Sequence, residues 1–392
     1  MVRVARPTPL CRIDAVTKDG ELFIKPTQVF DGRRLRSDLV IRRAYDGRCI
    51  LVSDALSNVD SIVHVDGVVS GGFVDLQVNG GGGALFNEAP TIETLQTIIG
   101  AHRRFGTSAI LPTLITDAPE RLVKAAEAVI AAKDLDGILG LHIEGPHIAS
   151  DRRGAHSAEF IRPFDDQTLA IVERLRLEDI LVMITIAPEA ATPDEISTLS
   201  DMGVIVSLGH SNASFQETVT AISHGACSFT HLFNAMPPLI NRDPGIVTAA
   251  INSQCYTGII GDGYHVDDAL LKLAIRARPV NNRVFIVSDS MPTIAGPDQF
   301  DLYGQKVVLK NGRLINSEGS LAGAHITMAE TVERFITQLG IEPSEVFKMA
   351  ITTPAELIRR DYLSKIDRRS ISDLILLSPK FAYKSRLEDV LI

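Results

Sequence analysis

One set of side chains in this sequence stands where a metal-assisted hydrolysis would need it. Glu144, His210 and His231 each end an apolar, β-branched run, and His265 follows another. Asp289 comes just after Val284-Phe285-Ile286-Val287, and Asp75, Gln77 and Asn79 alternate along the run at 73–78 and its end. One Glu and two His from separate strands make a three-ligand site for Zn²⁺ or a similar divalent ion, with the remaining position left to water. Such an ion brings its water toward ionisation near neutral pH and polarises a carbonyl, while a neighbouring carboxylate takes the proton and later delivers it to a leaving group. Asp289 is the candidate for that shuttle. Any one of these histidines, taken singly, is as readily a hydrogen-bonded or surface residue; the joint placement carries the reading.

These groups cooperate only if the strands bring their ends together. Strand-like runs at 73–78, 108–111, 138–143, 181–186, 204–208, 228–230, 256–260 and 284–288 alternate with amphipathic helical segments, the pattern of βαβ crossovers and a parallel sheet. They recur at about 30 residues per unit, the size of a βα repeat. In an open sheet the first and eighth strands would lie about 30 Å apart at roughly 4.8 Å per strand. Closure into a (β/α)₈ barrel puts their carboxyl ends on one ring, where barrel enzymes carry their chemistry. Thr192 with Glu195, and Ser214 with Glu217, have the spacing of capping boxes and predict helix starts. Further helices are expected at about 327–339 and after Pro343.

The first 69 residues read differently, as short β-branched runs at 21–24, 38–41 and 61–65 separated by Asp-Gly turns at 31–32, 46–47 and 66–67. The run 374–377 and the stretch to Ile392 return to that texture. The expected organisation is therefore a small discontinuous β-sandwich domain from residues 1–69 and 365–392, and a catalytic barrel over 70–364.

The chain has 392 residues, a net charge of −9 and 45% hydrophobic residues. It is long enough for a full core and lacks the basic field that nucleic acid or an anionic membrane surface would require. Its longest nearly uncharged apolar stretch, 180–188, is about half the length of a membrane helix. With no leader pattern in the first residues, the cytoplasm is expected. Cys11, Cys49, Cys227 and Cys255 have no C-x-x-C spacing and read as idle thiols.

Other features leave alternatives open. Gly80–Gly83 is either a phosphate cradle or, more simply, a glycine turn after the first strand. His142 shares a strand face with Glu144 or fills a barrel layer. His147 fits either a site or a structural loop, whereas His64, His102 and His224 read as surface or packing residues. Arg242, in Asn241-Arg242-Asp243-Pro244-Gly245, is either solvated or an anion contact.

Together the motifs resemble the N-acetylglucosamine-6-phosphate deacetylases, a family of the amidohydrolase superfamily. The resemblance spans essentially the whole chain. It is carried by GFVDLQVNG at 72–80, LHIEGPHI at 141–148, GAH at 154–156, LGHSNA at 208–213, THLFNAM at 230–236, NRDPG at 241–245, GDGYHVD at 261–267, VSDSM at 287–291 and LAGAHITM at 321–328. It implies Glu144, His210 and His231 as metal ligands, Asp289 as general base and acid, and His156 as the group that polarises the acetamide carbonyl. It further implies sugar or phosphate contacts from Ala155, Asn234, Ala235, Arg242, His265 and the loop Leu321, Ala322 and Gly323. Many amidohydrolases carry His-x-His at the end of the first strand; Gln77 and Asn79 there are poor ligands for a transition metal. The resemblance thus implies one divalent ion per subunit, zinc first, with iron, cobalt or manganese as alternatives. It implies a homodimer in which Arg242 reaches the neighbouring active site. The implied reaction is hydrolysis of N-acetyl-D-glucosamine 6-phosphate to D-glucosamine 6-phosphate and acetate, in amino-sugar catabolism and cell-wall recycling. The alternatives are an epimeric or related phosphorylated amino sugar, or a catalytically silent sugar-phosphate-binding regulator.

Overall fold

Eight runs of buried, mostly apolar residues form a parallel barrel in the computed structural model, which describes residues 21–54, 62–317 and 319–391. Cys11, Ser61, Ile392 and the first twenty residues of the expected β unit lie outside the described residues. The barrel strands are β1 (Phe73–Val78), β2 (Thr107–Ile115), β3 (Gly140–Glu144), β4 (Leu181–Ile186), β5 (Ile205–Leu208), β6 (Ser228–Phe229), β7 (Tyr256–Ile260) and β8 (Val284–Val287). Each pairs with the next in chain order. Closure between β8 and β1 comes just past the end of β8, where Asp289 N–H donates to the Gln77 carbonyl at 3.0 Å and Val78 bridges Ser290. The ring that the sequence spacing required is therefore present.

Period-two alternation sorts the strand residues into two cores. Outward residues such as Phe73, Ile110, Ile143, Val182, Val206 and Phe229 pack under the surrounding helices. Inward residues such as Val74, Leu76, Ala109, Leu111, Met183, Ile205 and Phe285 fill the lower barrel. Above this apolar plug the lining turns polar. The His142 ring meets Thr185 Oγ1 at 2.7 Å and Thr113 Oγ1 at 3.3 Å, and Thr230 Oγ1 lies 2.7 Å from the hydroxyls of Thr185 and Ser207. His142 thus occupies a barrel layer, one of the two roles open to it in the sequence. The layer satisfies its own polar groups, as a buried network must. It also forms the floor beneath the residues that end β3, β5 and β6.

Both expected capping boxes form, with Thr192 on Glu195 and Ser214 on Glu217, and a third joins Thr327 to Glu330. The final helical region is Met328–Thr337 and Pro343–Phe347, continued by a π-turn at Lys348–Thr352. The described chain ends build one seven-stranded sheet. In it Val63–Gly71 pairs parallel with Leu22–Phe30 and antiparallel with Leu374–Leu377. The strand Val63–Gly71 leads through Gly72 into β1, so this sheet is continuous with the first barrel strand.

One element has no counterpart in the sequence reading. A three-stranded antiparallel sheet, Gln299–Leu302, Gln305–Lys310 and Arg313–Ile315, is inserted after β8. Its turns are Tyr303-Gly304 and Asn311-Gly312, with all four residues at positive φ, the geometry of tight hairpins. The Asn-Gly dipeptide was its available signal.

Candidate active site

The carboxyl ends of the barrel strands converge on a cavity of about 190 Å³. Glu144 ends β3, His210 follows β5, His231 follows β6 and Asp289 follows β8. His210, His231 and Asp289 all adopt left-handed backbone conformations, with φ of 49°, 26° and 49°. This conformation costs a non-glycine residue roughly 1–2 kcal/mol. Here it turns the chain sharply off the strand and aims the side chain over the barrel mouth.

Glu144 Oε1 lies 3.2 Å from His210 Nε2 and 3.0 Å from His231 Nε2, and the two imidazole nitrogens are 3.0 Å apart. All three residues are buried. His210 Nδ1 lies 2.8 Å from the Arg152 carbonyl, which accepts the Nδ1–H hydrogen bond and leaves the Nε2 lone pair facing the other two ligand atoms. Two imidazole nitrogens and a carboxylate oxygen in mutual contact need a proton or a cation among them. The donor set and its spacing fit a divalent ion. Burial alone would raise the Glu144 pKa, but the adjoining His210 and His231 hold it well below the usual range. Burial opposes protonation of His231, and Glu144 outweighs it, raising the His231 pKa.

Asp289 stands beside this group. Its Oδ1 accepts from Asn79 Nδ2 at 2.7 Å and Gln77 Nε2 at 3.2 Å, and the same Gln77 nitrogen lies 3.0 Å from Glu144 Oε1. The neutral amide of Gln77 in β1 therefore ties base candidate to ligand candidate, and that of Asn79, just past the strand, adds a second hold on the base. Among the described residues Asp289 Oδ2 has no hydrogen bond and remains available. Burial, then the charge of Glu144, raises the Asp289 pKa to about 6.

His156 packs its ring 4.5 Å from that of His210. Burial, then neighbouring His210, lowers its pKa to about 3, so at neutral pH the ring is uncharged. His265 Nδ1 lies 2.6 Å from Asp262 Oδ2, and Asp262 Oδ1 accepts from the backbone of Tyr264 and His265. An Asx turn thus holds the ring that faces the cavity.

Of the residues singled out in the sequence, Glu144, Ala155, His156, His210, His231, Asn234, Ala235, His265, Asp289, Leu321 and Gly323 line this one cavity. Ala322 does not; it is buried in an apolar cluster with Leu85, Ile115 and Met291. Arg242 also lies elsewhere, on an exposed loop beside Leu239 and Ile240. His147 points away from the cavity, bonded to the Pro163 carbonyl and Thr168 and packed on Phe164. His102 is not at the surface but buried beneath the glycine turn, 3.0 Å from the Gly80 carbonyl. Sequence reasoning missed Ile115 and Met291, which line the cavity, and Asp262, whose signal was its place three residues before His265. A larger groove of about 400 Å³ lies around Arg369 and the turn at Gly137 and holds none of these groups.

The chain was compared with known proteins. The Amidohydrolase family model matches residues 68–391. An N-acetylgalactosamine-6-phosphate deacetylase of Shewanella sp. (strain ANA-3) is 41% identical over 315 residues, 79% of this chain and 79% of that relative. An N-acetylglucosamine-6-phosphate deacetylase of Haemophilus influenzae is 32% identical over 321 residues, 80% of this chain and 83% of that relative. The crystal structure of N-acetylglucosamine-6-phosphate deacetylase from Pasteurella multocida superposes with a TM-score of 0.84 at 30% identity, covering 93% of this chain and 97% of that one.

Proposed function

The chain belongs to the amidohydrolase family, and on that premise we propose that it hydrolyses the acetamide of N-acetyl-D-glucosamine 6-phosphate, giving D-glucosamine 6-phosphate and acetate. The observation that carries this reading is the meeting of Glu144, His210 and His231 with Asp289 in one cavity that also holds His156 and His265. Relatives named as deacetylases of amino-sugar 6-phosphates support it.

Glu144, His210 and His231 would hold one divalent ion per subunit, which we assign as zinc. When bound, the ion supplies a water of lowered pKa and polarises the acetamide carbonyl. Asp289, anchored through Oδ1, takes the proton of the attacking water on Oδ2 and returns it to the departing amine nitrogen. That return is essential, because an amine anion is not a viable leaving group. His156 donates a hydrogen bond to the carbonyl oxygen as charge develops there. Gln77 and Asn79 donate to carboxylates rather than ligate, which supports one ion and not two.

His265, with Asn234 and Ala235, contacts the sugar phosphate. Arg242, on the exposed loop that follows Leu239 and Ile240, themselves 45% and 47% exposed, serves the cavity of a second subunit in a homodimer. The enzyme is placed in the cytoplasm, in amino-sugar catabolism and cell-wall recycling. Among the described residues no helix is long and apolar enough to cross a membrane.

Acetate release should be measured on metal-loaded protein with the glucosamine and galactosamine epimers, each with and without the 6-phosphate. The highest kcat/KM is expected for N-acetyl-D-glucosamine 6-phosphate, and chelation followed by zinc should abolish and restore it. The relative named for the galactosamine epimer makes C4 the informative axis. No acetate from any of the four, or a preference for unphosphorylated sugar, would overturn the reading.

A further inference from the structure

The ring of His156 has two nitrogens in different surroundings. Nδ1 faces Thr116, the first residue beyond β2, whose hydroxyl lies 2.7 Å away and whose backbone N–H points at it from 3.4 Å. A backbone N–H only donates, so the nitrogen it faces is an acceptor, and the Thr116 hydroxyl can then donate to the same nitrogen. In the opposite tautomer two buried donors would confront one another. The Thr116 N–H, with no other acceptor among the described residues, would be left unsatisfied. The proton of the neutral ring therefore resides on Nε2. Among the described residues Nε2 has no hydrogen-bond partner, and His156 lines the cavity.

Thr116 is itself held from two sides. The hydroxyl has a single proton, so once that proton is given to His156 the 3.5 Å approach to the Glu144 carbonyl is a packing contact and not a hydrogen bond; a Cβ on Gly145 would collide with the same hydroxyl. The Thr116 carbonyl accepts a hydrogen bond from the Tyr303 hydroxyl at the tip of the inserted hairpin. The end of β2, the turn after the Glu144 strand and the hairpin thus meet at one buried residue, 1% exposed.

We propose that Thr116 is a positioning residue that locks His156 as an Nε2–H donor aimed into the cavity, with Tyr303 fixing Thr116 in place. A donor set in advance stabilises charge on the substrate oxygen without reorganising during the reaction. The opposite tautomer would present a lone pair to that oxygen. The proposal rests on the deacetylase reading for what His156 touches; the tautomer itself belongs to the substrate-free protein.

The test joins nitrogen NMR of the imidazole rings in ¹⁵N-histidine-labelled, zinc-loaded protein, with the His156 signals assigned by loss in H156N, to kinetics of two variants. Wild type should show an unprotonated Nδ1 and a protonated Nε2 for His156 without substrate. T116V keeps the backbone N–H that sets the tautomer and the carbonyl that Tyr303 engages, so it isolates the hydroxyl's hold on the orientation of the ring. It should lower kcat about 10- to 100-fold with KM changed less than about threefold, and T116S should recover to within about threefold of wild type. Should T116V melt early, T116A takes its place. A protonated Nδ1 in wild type, wild-type kcat in the valine variant, or a serine variant as impaired as the valine one would overturn the proposal. If no sugar phosphate releases acetate, the functional reading falls while the NMR result still decides the tautomer.

Discussion

Among the described residues Asp289 is gripped at one carboxylate oxygen and free at the other, which is the arrangement a proton shuttle requires. Asp289→Asn keeps the shape and the bond from Asn79 but cannot take a proton. It should retain bound metal while kcat falls by about two to four orders of magnitude, read by acetate release beside metal analysis. The base must be ionised to act, so kcat/KM should fall as pH drops through the Asp289 pKa. Burial and the Glu144 charge place that pKa at about 6, and a cation among the ligands opposes the Glu144 charge, so the acid limb should lie at or below pH 6. A profile that rises toward acid would contradict the assignment. In the same cavity, Asp262→Asn weakens the hold on His265. It should raise KM for the phosphorylated sugar several-fold, with little change for the unphosphorylated one.

At the scale of elements, the barrel strands were legible in the sequence because alternation and the βα interval report burial directly. Polar residues at strand ends were legible too, and Glu144, His210, His231 and Asp289 do meet. What the pattern could not show was how the side chains are aimed. The left-handed turns at His210, His231 and Asp289 fall on residue types that adopt this conformation more often than most but still only in a minority of cases, so the residue types alone do not announce them. Gln77 and Asn79 stood out only as absent ligands, and their bonds to Asp289 depend on barrel closure. The hairpin at 299–315 was overshadowed by the regular βα spacing although Asn311-Gly312 marked it. His102 reads from its helix as a surface or packing residue, yet burial lowers its pKa to about 4. In the unfolded chain it titrates near 6.5, so between these values the unfolded state binds more protons. Stability from the neutral ring is complete above about pH 6.5 and is lost as pH falls through about 4, by up to about 3 kcal/mol. Denaturant melts of wild type and His102→Gln over that range should converge toward acid; parallel curves would contradict this.

At the scale of the molecule, strands from both chain ends meet in one sheet that continues into β1, so the terminal sheet and the barrel share a strand path. Gly67 sits at the irregularity in the parallel pairing, at φ 144°, where a Cβ would strike the Leu377 carbonyl. Gly67→Ala should cost about 2 kcal/mol or more by thermal unfolding, pushing Leu374–Leu377 off its neighbour. Wild-type stability would show that the sheet tolerates the shift. The exposed loop carrying Arg242 makes a prediction that spans two chains: Arg242→Ala should raise KM for the sugar phosphate while leaving the ligand group of its own subunit intact. The whole account turns on Glu144, His210 and His231 acting as a single grip, and elemental analysis of zinc-reconstituted, dialysed protein tests that directly. One ion per chain is expected in wild type and in the Asp289→Asn variant, with little or none in His231→Ala. An ion-free wild type, or full retention after His231 is removed, would contradict it.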